Sequence, residues 1–204
     1  VCPLPSAEAG VAAEGDFPIF GKCFIACNMP CDGSIMTTSF QDRYFKLPTY
    51  CLGVPLRYND DVDAQEYAVE ELRGCIKFIE DHTGEKFDYD KLENSLKVYN
   101  AHNAAMRELA VVLADHAEIL PSQRSDIFKS ATFMLKEEHT ELVNQLIEAL
   151  KAQDGASDRI RIMTTGIIAD APGLTSILDE MGMQIVLSAS LKSSAHSPTL
   201  GQAL

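Results

Sequence analysis

The stretch "KCFIACNMPCDGSIMTTSFQDRYFKLPTYCLGVP", residues 22–55, decides the fold. Residues 22–27 are short, apolar and rich in strand formers, and Asn28-Met29-Pro30 turns the chain. Residues 32–45 read as a helix, with Asp32 or Ser34 available as its cap. Residues 47–55, bounded by prolines, read as a second buried strand. Strand, helix and strand at this spacing predict a βαβ unit in a parallel sheet.

Downstream the pattern turns helical. In residues 62–83, Val69, Leu72, Ile76 and Ile79 recur at steps of three and four, and Gly84 ends the run. Asp88 caps a second helix, in which Leu92, Leu96, Tyr99, Asn103, Met106, Ala110 and Leu113 keep that period to about residue 116. Pro121-Ser122 opens a third long helix, expected to run to about Gln153. Such helices suit a bundle-like insertion between two α/β parts. Residues 159–166 then read as a strand with a tight turn, 170–182 as a helix and 183–186 as the start of another strand, so a second βαβ begins.

The 204 residues suffice for one sizeable domain or one and part of a second, and 46% hydrophobic residues suffice for a core. The formal charge is −13 with no Lys/Arg cluster. This excludes a general nucleic-acid binder, whose affinity comes from phosphate contacts, and disfavours an anionic membrane surface. No run approaches 18 apolar residues, so no membrane span is expected. The chain opens at Val1 within "VCPLP", which reads as mid-domain sequence and marks a fragment. Residues 187–204 carry five serines and no Asp or Glu, and read as a disordered or foreign tail.

Walker A, GxGxxG, HExxH and GxSxG patterns are absent, as are the Glu-x-x-His pairs of a di-iron bundle. Cysteine remains. Five of the six (Cys2, Cys23, Cys27, Cys31, Cys51, Cys75) fall in the first 51 residues. A chain this large needs no disulfide staples, so reduced thiols in a cytoplasmic protein, some of them binding metal, are expected. Cys23, Cys51 and Cys75 read as buried small hydrophobes. Cys31 stands apart, after a strand's carboxyl end and before a helix start, where ligands of open α/β sheets gather and helix amides favour a thiolate.

Other residues carry weaker signals. His102 and Asn103 border an apolar stripe and suit a hydrogen-bonded core or interhelix role. Glu138 and His139 lie beside the expected inward stripe Ala131, Leu135, Leu142 and Leu146, which suits a helix–helix salt link or a substrate contact. Thr164, Thr165 and Gly166 form either a tight turn or an anion-binding backbone.

With these residues in view, "GDFPIF" (15–20), "CFIACNMPCDGS" (23–34), "FKLPTYCLGVP" (45–55) and "AQEYAVEELRGCIKFIEDHTGEKFDYDKL" (64–92) resemble the 2-hydroxyacyl-CoA dehydratase family, which also contains benzoyl-CoA reductase subunits. "RIRIMTTGIIADAPGLTSILDEMG" (159–182) resembles the opening of that family's second α/β domain, and the likeness spans 1–186. The resemblance implies an α/β fold: a Rossmann-like parallel-sheet domain, a long helical segment and the truncated start of a second α/β domain. The parts divide as 1–60 with the cluster cysteines, 61–155, 156–186 and the tail 187–204.

The resemblance further implies a [4Fe–4S] cluster held by three cysteines, two of which fall on Cys2 and Cys31, with Cys27 the alternative to Cys31. The third belongs beyond the matching sequence. It also implies a lyase working anaerobically in a heterodimer with a sister subunit and an ATP-dependent iron–sulfur activator protein. The activator supplies one electron, the acyl-CoA substrate becomes a ketyl radical, hydroxide leaves, and the electron returns after loss of the β-proton. Three cysteines leave one iron open to a substrate oxygen. Other readings are a benzoyl-CoA reductase-type subunit, a non-catalytic scaffold or partner of the same fold, and a small zinc module.

Overall fold

In the computed structural model, residues 3–15, 21–29, 33–55, 62–155, 158–165 and 171–188 are described. They form a mixed α/β structure, mostly helical, with two short parallel strand pairs. Two units compose it, Val1–Asp88 and Tyr89–Leu204.

The first unit holds the predicted βαβ. β1 (Phe24–Cys27) and β2 (Thr49–Leu52) pair in parallel with Phe24 opposite Thr49 and Cys27 opposite Leu52. α2 (Gly33–Phe45) connects them and packs on α1 (Pro3–Glu14). α1 falls where sequence reading assigned no element. α2 stops at Lys46, a left-handed residue with φ 53°, whose N–H reaches Asp42 O at 3.1 Å.

α3 (Val62–Thr83) packs on β2. The expected inward stripe is met in part: Ile76 and Ile79 are half-buried, Val69 and Leu72 are exposed, and Ala68, Glu71, Cys75 and Phe78 are half-buried as well. Close approach selects this face. A Cβ at Gly74 would lie 2.5 Å from Tyr50 Oη, and that hydroxyl donates to Glu71 O at 3.1 Å.

The second unit begins with α4 (Tyr89–Val112), directly after Asp88, and a 3-10 turn at Leu113–Asp115. The helix expected from residue 121 to about 153 is broken into α5 (Pro121–Ser130) and α6 (Lys136–Lys151). Hydroxyls cause the break: Ser130 Oγ donates to Ile127 O and Thr132 Oγ1 to Lys129 O, both at 2.7 Å, which favours turning over helix continuation. The core is Ala105, Leu109, Leu113, Val143, Ile147 and Leu150, with Leu109 fully buried. Hence α6 does not present the expected stripe: Leu135 is 67% and Leu142 52% exposed, while His139, Val143, Ile147 and Leu150 face inward and Leu146 packs at the core's edge.

A second βαβ follows. β3 (Ile160–Thr164) and β4 (Met183–Ser188) pair in parallel around α7 (Pro172–Glu180), with a register shift between Ile162 and Met163. Gln184, 1% exposed, ties β4 to the 3-10 turn through Nε2 bonds to Leu113 O (3.3 Å) and Ala114 O (3.1 Å). Asp179 of α7 caps α5, accepting the Ser122 N–H at 3.1 Å. β4 runs two residues past Val186, and residues 189–204 lie outside the described residues.

Candidate functional site

At the carboxyl ends of β1 and β2 the ladder closes with Asn28 N donating to Leu52 O at 3.4 Å. The Asn28 side chain then extends the pairing: Nδ2 donates to Val54 O at 3.1 Å, and Oδ1 accepts from Val54 N at 2.8 Å. Gly53 N donates to Glu71 Oε2 at 2.8 Å, so the N–H groups of residues 53 and 54 both have partners from another element. A Cβ at Gly53 would lie 2.6 Å from Tyr67 Oη, so a larger residue there requires the tyrosine to shift. Asn28 with Val54 and Gly53 with Glu71 are thus hydrogen-bonded at this rim. Sequence reading took Asn28 for a turn residue only. An Asn placed directly after a strand was the available signal.

Cys2 and Cys31 lie outside the described residues. Cys27, the alternative ligand, is half-buried at the end of β1, and its thiol donates to Met29 O at 3.3 Å. Alternation along the strands puts Cys27 on the same face as Leu52 and Tyr50, the face turned to α3. The other thiols separate. Cys51 is exposed, which corrects its expected burial, because β2 turns that residue away from α3. Cys23 and Cys75 are half-buried, and burial, then Cys23, then Glu71 raise the Cys75 pKa, so its thiol stays protonated.

For a [4Fe–4S] cluster the donor type fits: sulfur at a sheet rim, with α2 starting two residues after Cys31. Among the described residues no three His, Cys, Asp or Glu side chains converge, and Cys2 and Cys31 lie outside those residues. No helix of the described residues is long and apolar enough to cross a membrane.

The second unit contains an ordered buried chain. His102 of α4 and His139 of α6 are 5% and 2% exposed, with His102 Nε2 3.0 Å from His139 Nδ1. His139 Nε2 lies 2.9 Å from Ser130 Oγ, which donates to Ile127 O. One proton arrangement satisfies all three contacts: His102 Nε2–H donates to His139, His139 Nε2–H donates to Ser130, and both rings are neutral. Burial is the main cause lowering both pKa values. His139 and Lys136 add to it at His102, and Lys136 adds to it at His139. The interhelix role expected of His102 is thus present, whereas the expected salt link at 138–139 is replaced by a neutral imidazole pair, with Glu138 exposed. Thr164 is half-buried, with no hydrogen-bond partner for Oγ1, and Gly166 lies outside the described residues.

Residues 1–200 match the model of the family described as 2-hydroxyglutaryl-CoA dehydratase, D-component. The match runs past Val186, where the sequence reading ended its resemblance. The chain is 33% identical over 124 residues to the (R)-phenyllactyl-CoA dehydratase beta subunit of Clostridium sporogenes, covering 60% of this chain and 33% of that protein. It is 35% identical over 125 residues to the lactoyl-CoA dehydratase beta subunit of Anaerotignum propionicum, covering 60% and 33%. Against a benzoyl-CoA reductase subunit of Thauera aromatica, identity is 27% over 187 residues, covering 87% of this chain and 46% of that one. The aligned part of the chain thus spans a third of the length of the two dehydratase subunits. With the match extending over residues 1–200, the chain belongs to the 2-hydroxyglutaryl-CoA dehydratase, D-component, family.

Proposed function

We propose that the chain is part of a subunit of a 2-hydroxyacyl-CoA dehydratase, a cytoplasmic lyase that eliminates water from a 2-hydroxyacyl thioester. The family match over residues 1–200 carries this reading. The relatives named beta subunits support a heteromeric assembly with a sister subunit. An ATP-dependent iron–sulfur activator completes the system. A Rossmann-like first domain, long helices and the start of a second α/β domain are the architecture this reading carries.

Cys2 and Cys31 are the proposed cluster ligands in this chain. Cys27 is the alternative to Cys31, and its thiol lies 3.3 Å from Met29 O. Held by these cysteines, such a cluster would supply one-electron chemistry. Asn28, three residues before Cys31 in the sequence, is paired with Val54, and Gly53 with Glu71.

A benzoyl-CoA reductase-type subunit is the second reading, favoured by the 87% coverage of this chain in the Thauera match. Turnover of a 2-hydroxyacyl-CoA against benzoyl-CoA by the intact complex with its activator separates the two. For the cluster, the protein purified without oxygen should be brown. Cys31→Ser should strip iron from the subunit while Cys27→Ser retains it, as read by iron and sulfide analysis. Unchanged iron in Cys31→Ser refutes the assignment.

A further inference from the structure

The contact between α4 and α6 has a polar end and an apolar end. On α6 the buried positions are His139, Val143, Ile147 and Leu150; on α4 they are His102, Ala105 and Leu109. His102 meets His139, and farther along Lys151 Nζ meets Glu108 Oε1 at 2.5 Å, so the helices run parallel and the histidines close one end. The apolar core of Ala105, Leu109, Leu113, Val143, Ile147 and Leu150 follows them.

That polar end also holds the α5–α6 turn. His139 Nε2 lies 2.9 Å from Ser130 Oγ, Phe133 N donates to Ser130 O at 3.0 Å, and Lys136 Nζ donates to Ala131 O. No side chain caps α6 at Leu135, and Phe133 and Leu135 are exposed. His139 is thus the buried anchor of the amino end of α6.

Protons compete with this anchor. In the neutral pair each ring keeps one bare nitrogen, Nδ1, and that of His139 accepts the His102 Nε2–H. A proton on His102 buries an uncompensated charge, and a second on His139 sets two N–H groups against each other at 3.0 Å. The groups acting on the pair from α4, α5 and α6 are the two rings themselves, the Lys136 ammonium, the Asn103 side chain and the Ile127 carbonyl. Lys136, the charged member, repels the incoming proton.

We propose that His102 and His139 form a proton-operated latch: as pH falls the pair parts, releasing Ser130 and opening residues 130–139 while the apolar contacts from Ala105 and Val143 onward stay closed. The latch is independent of the cluster reading. Released into water, each imidazole titrates near its ordinary value of about 6.5. Between pH 7.5 and 5.5 this favours the open form by about tenfold for one histidine and up to about a hundredfold for both.

Hydrogen exchange of the full chain at pH 7.5 and 5.5, corrected for intrinsic exchange rates, tests the latch. Its reporters are the amides of Thr132, Phe133 and His139, which donate to the Lys129, Ser130 and Leu135 carbonyls. Global unfolding takes up the same protons, so dilute urea, below the unfolding range, separates the two: a local opening exposes little surface and ignores it. Protection of the reporters should fall by about tenfold or more at pH 5.5 and stay insensitive to urea, whereas exchange at residues 143–150 should be slower and rise with urea. His102→Gln keeps a donor toward His139 without titrating and should reduce the fall to about tenfold or less. His102→Gln with His139→Gln should abolish it. Should that double variant fail to fold, the two ends of the wild-type helix pair still decide. Reporters without protection at pH 7.5, protection that does not change with pH, or one protection factor and one urea slope shared with residues 143–150 overturns the proposal. A full pH response in the folded double variant does so as well.

Discussion

His102 and His139 form a buried polar contact between two helices of the second unit, and their neutrality is its condition. Both carry lowered pKa values, burial first among the causes. Above about pH 6.5 the folded and unfolded chains hold these rings alike, so the full stability is present there. As pH falls below that value the unfolded chain takes up protons that the folded chain refuses. Stability is then lost progressively toward the folded pKa values. Lys136, whose ammonium lies 5.7 Å from the Tyr99 ring centroid, reinforces the refusal. Urea unfolding at pH 7.5 and 5.5 should show this loss in wild type and a smaller one in Lys136→Met. His139→Ala should cost about 2–4 kcal/mol at neutral pH, from lost packing and stranded polar partners, and should flatten the pH slope. An unchanged slope would remove the histidine pair from the account.

At the scale of elements, helix ends decide more than helix interiors. α2 terminates on Lys46 in the left-handed region, a position glycine usually fills. The lysine pays a Cβ penalty of roughly 1–2 kcal/mol there. Lys46→Gly should recover part of it and raise stability by about 0.5–1 kcal/mol, measured by denaturant midpoint. A decrease would mean the lysine side chain contributes more than its backbone costs. The break between α5 and α6 illustrates the same principle. Periodicity predicted one helix from Pro121, because Ala131, Leu135, Leu142 and Leu146 keep a helical step. Two hydroxyl-to-carbonyl bonds end α5 at Ser130, and the same Ser130 hydroxyl then receives His139. After that turn α6 starts in a new phase, which brings His139, Val143, Ile147 and Leu150 inward.

Across the whole chain, the charge of −13 governs long-range behaviour. A single-stranded RNA oligomer should give no mobility shift at about 0.1 M salt, where charges are screened beyond roughly 10 Å. A salt-sensitive shift would reveal a basic patch that composition conceals. The two βαβ units were legible in the sequence because strand propensity, turn residues and helix caps are local properties, and so the parallel pairs appear where residues 22–55 and 159–186 predicted them. α1 was not legible, and its sequence, with Gly10 inside it, carries a weak helical pattern. The cysteine series at 23, 27 and 31 was visible as spacing, but spacing cannot tell which thiols share an environment. By itself, the sequence determined the class of fold, the family and the placing of Cys31 between a strand and a helix. Only the tertiary structure decided that Asn28 locks Val54, that His102 meets His139, and which faces of α3 and α6 turn inward. The two contacts join residues 26 and 37 positions apart in the chain, a separation no local pattern encodes. A helix's own period likewise sets a repeat but not the phase at which a neighbour will meet it.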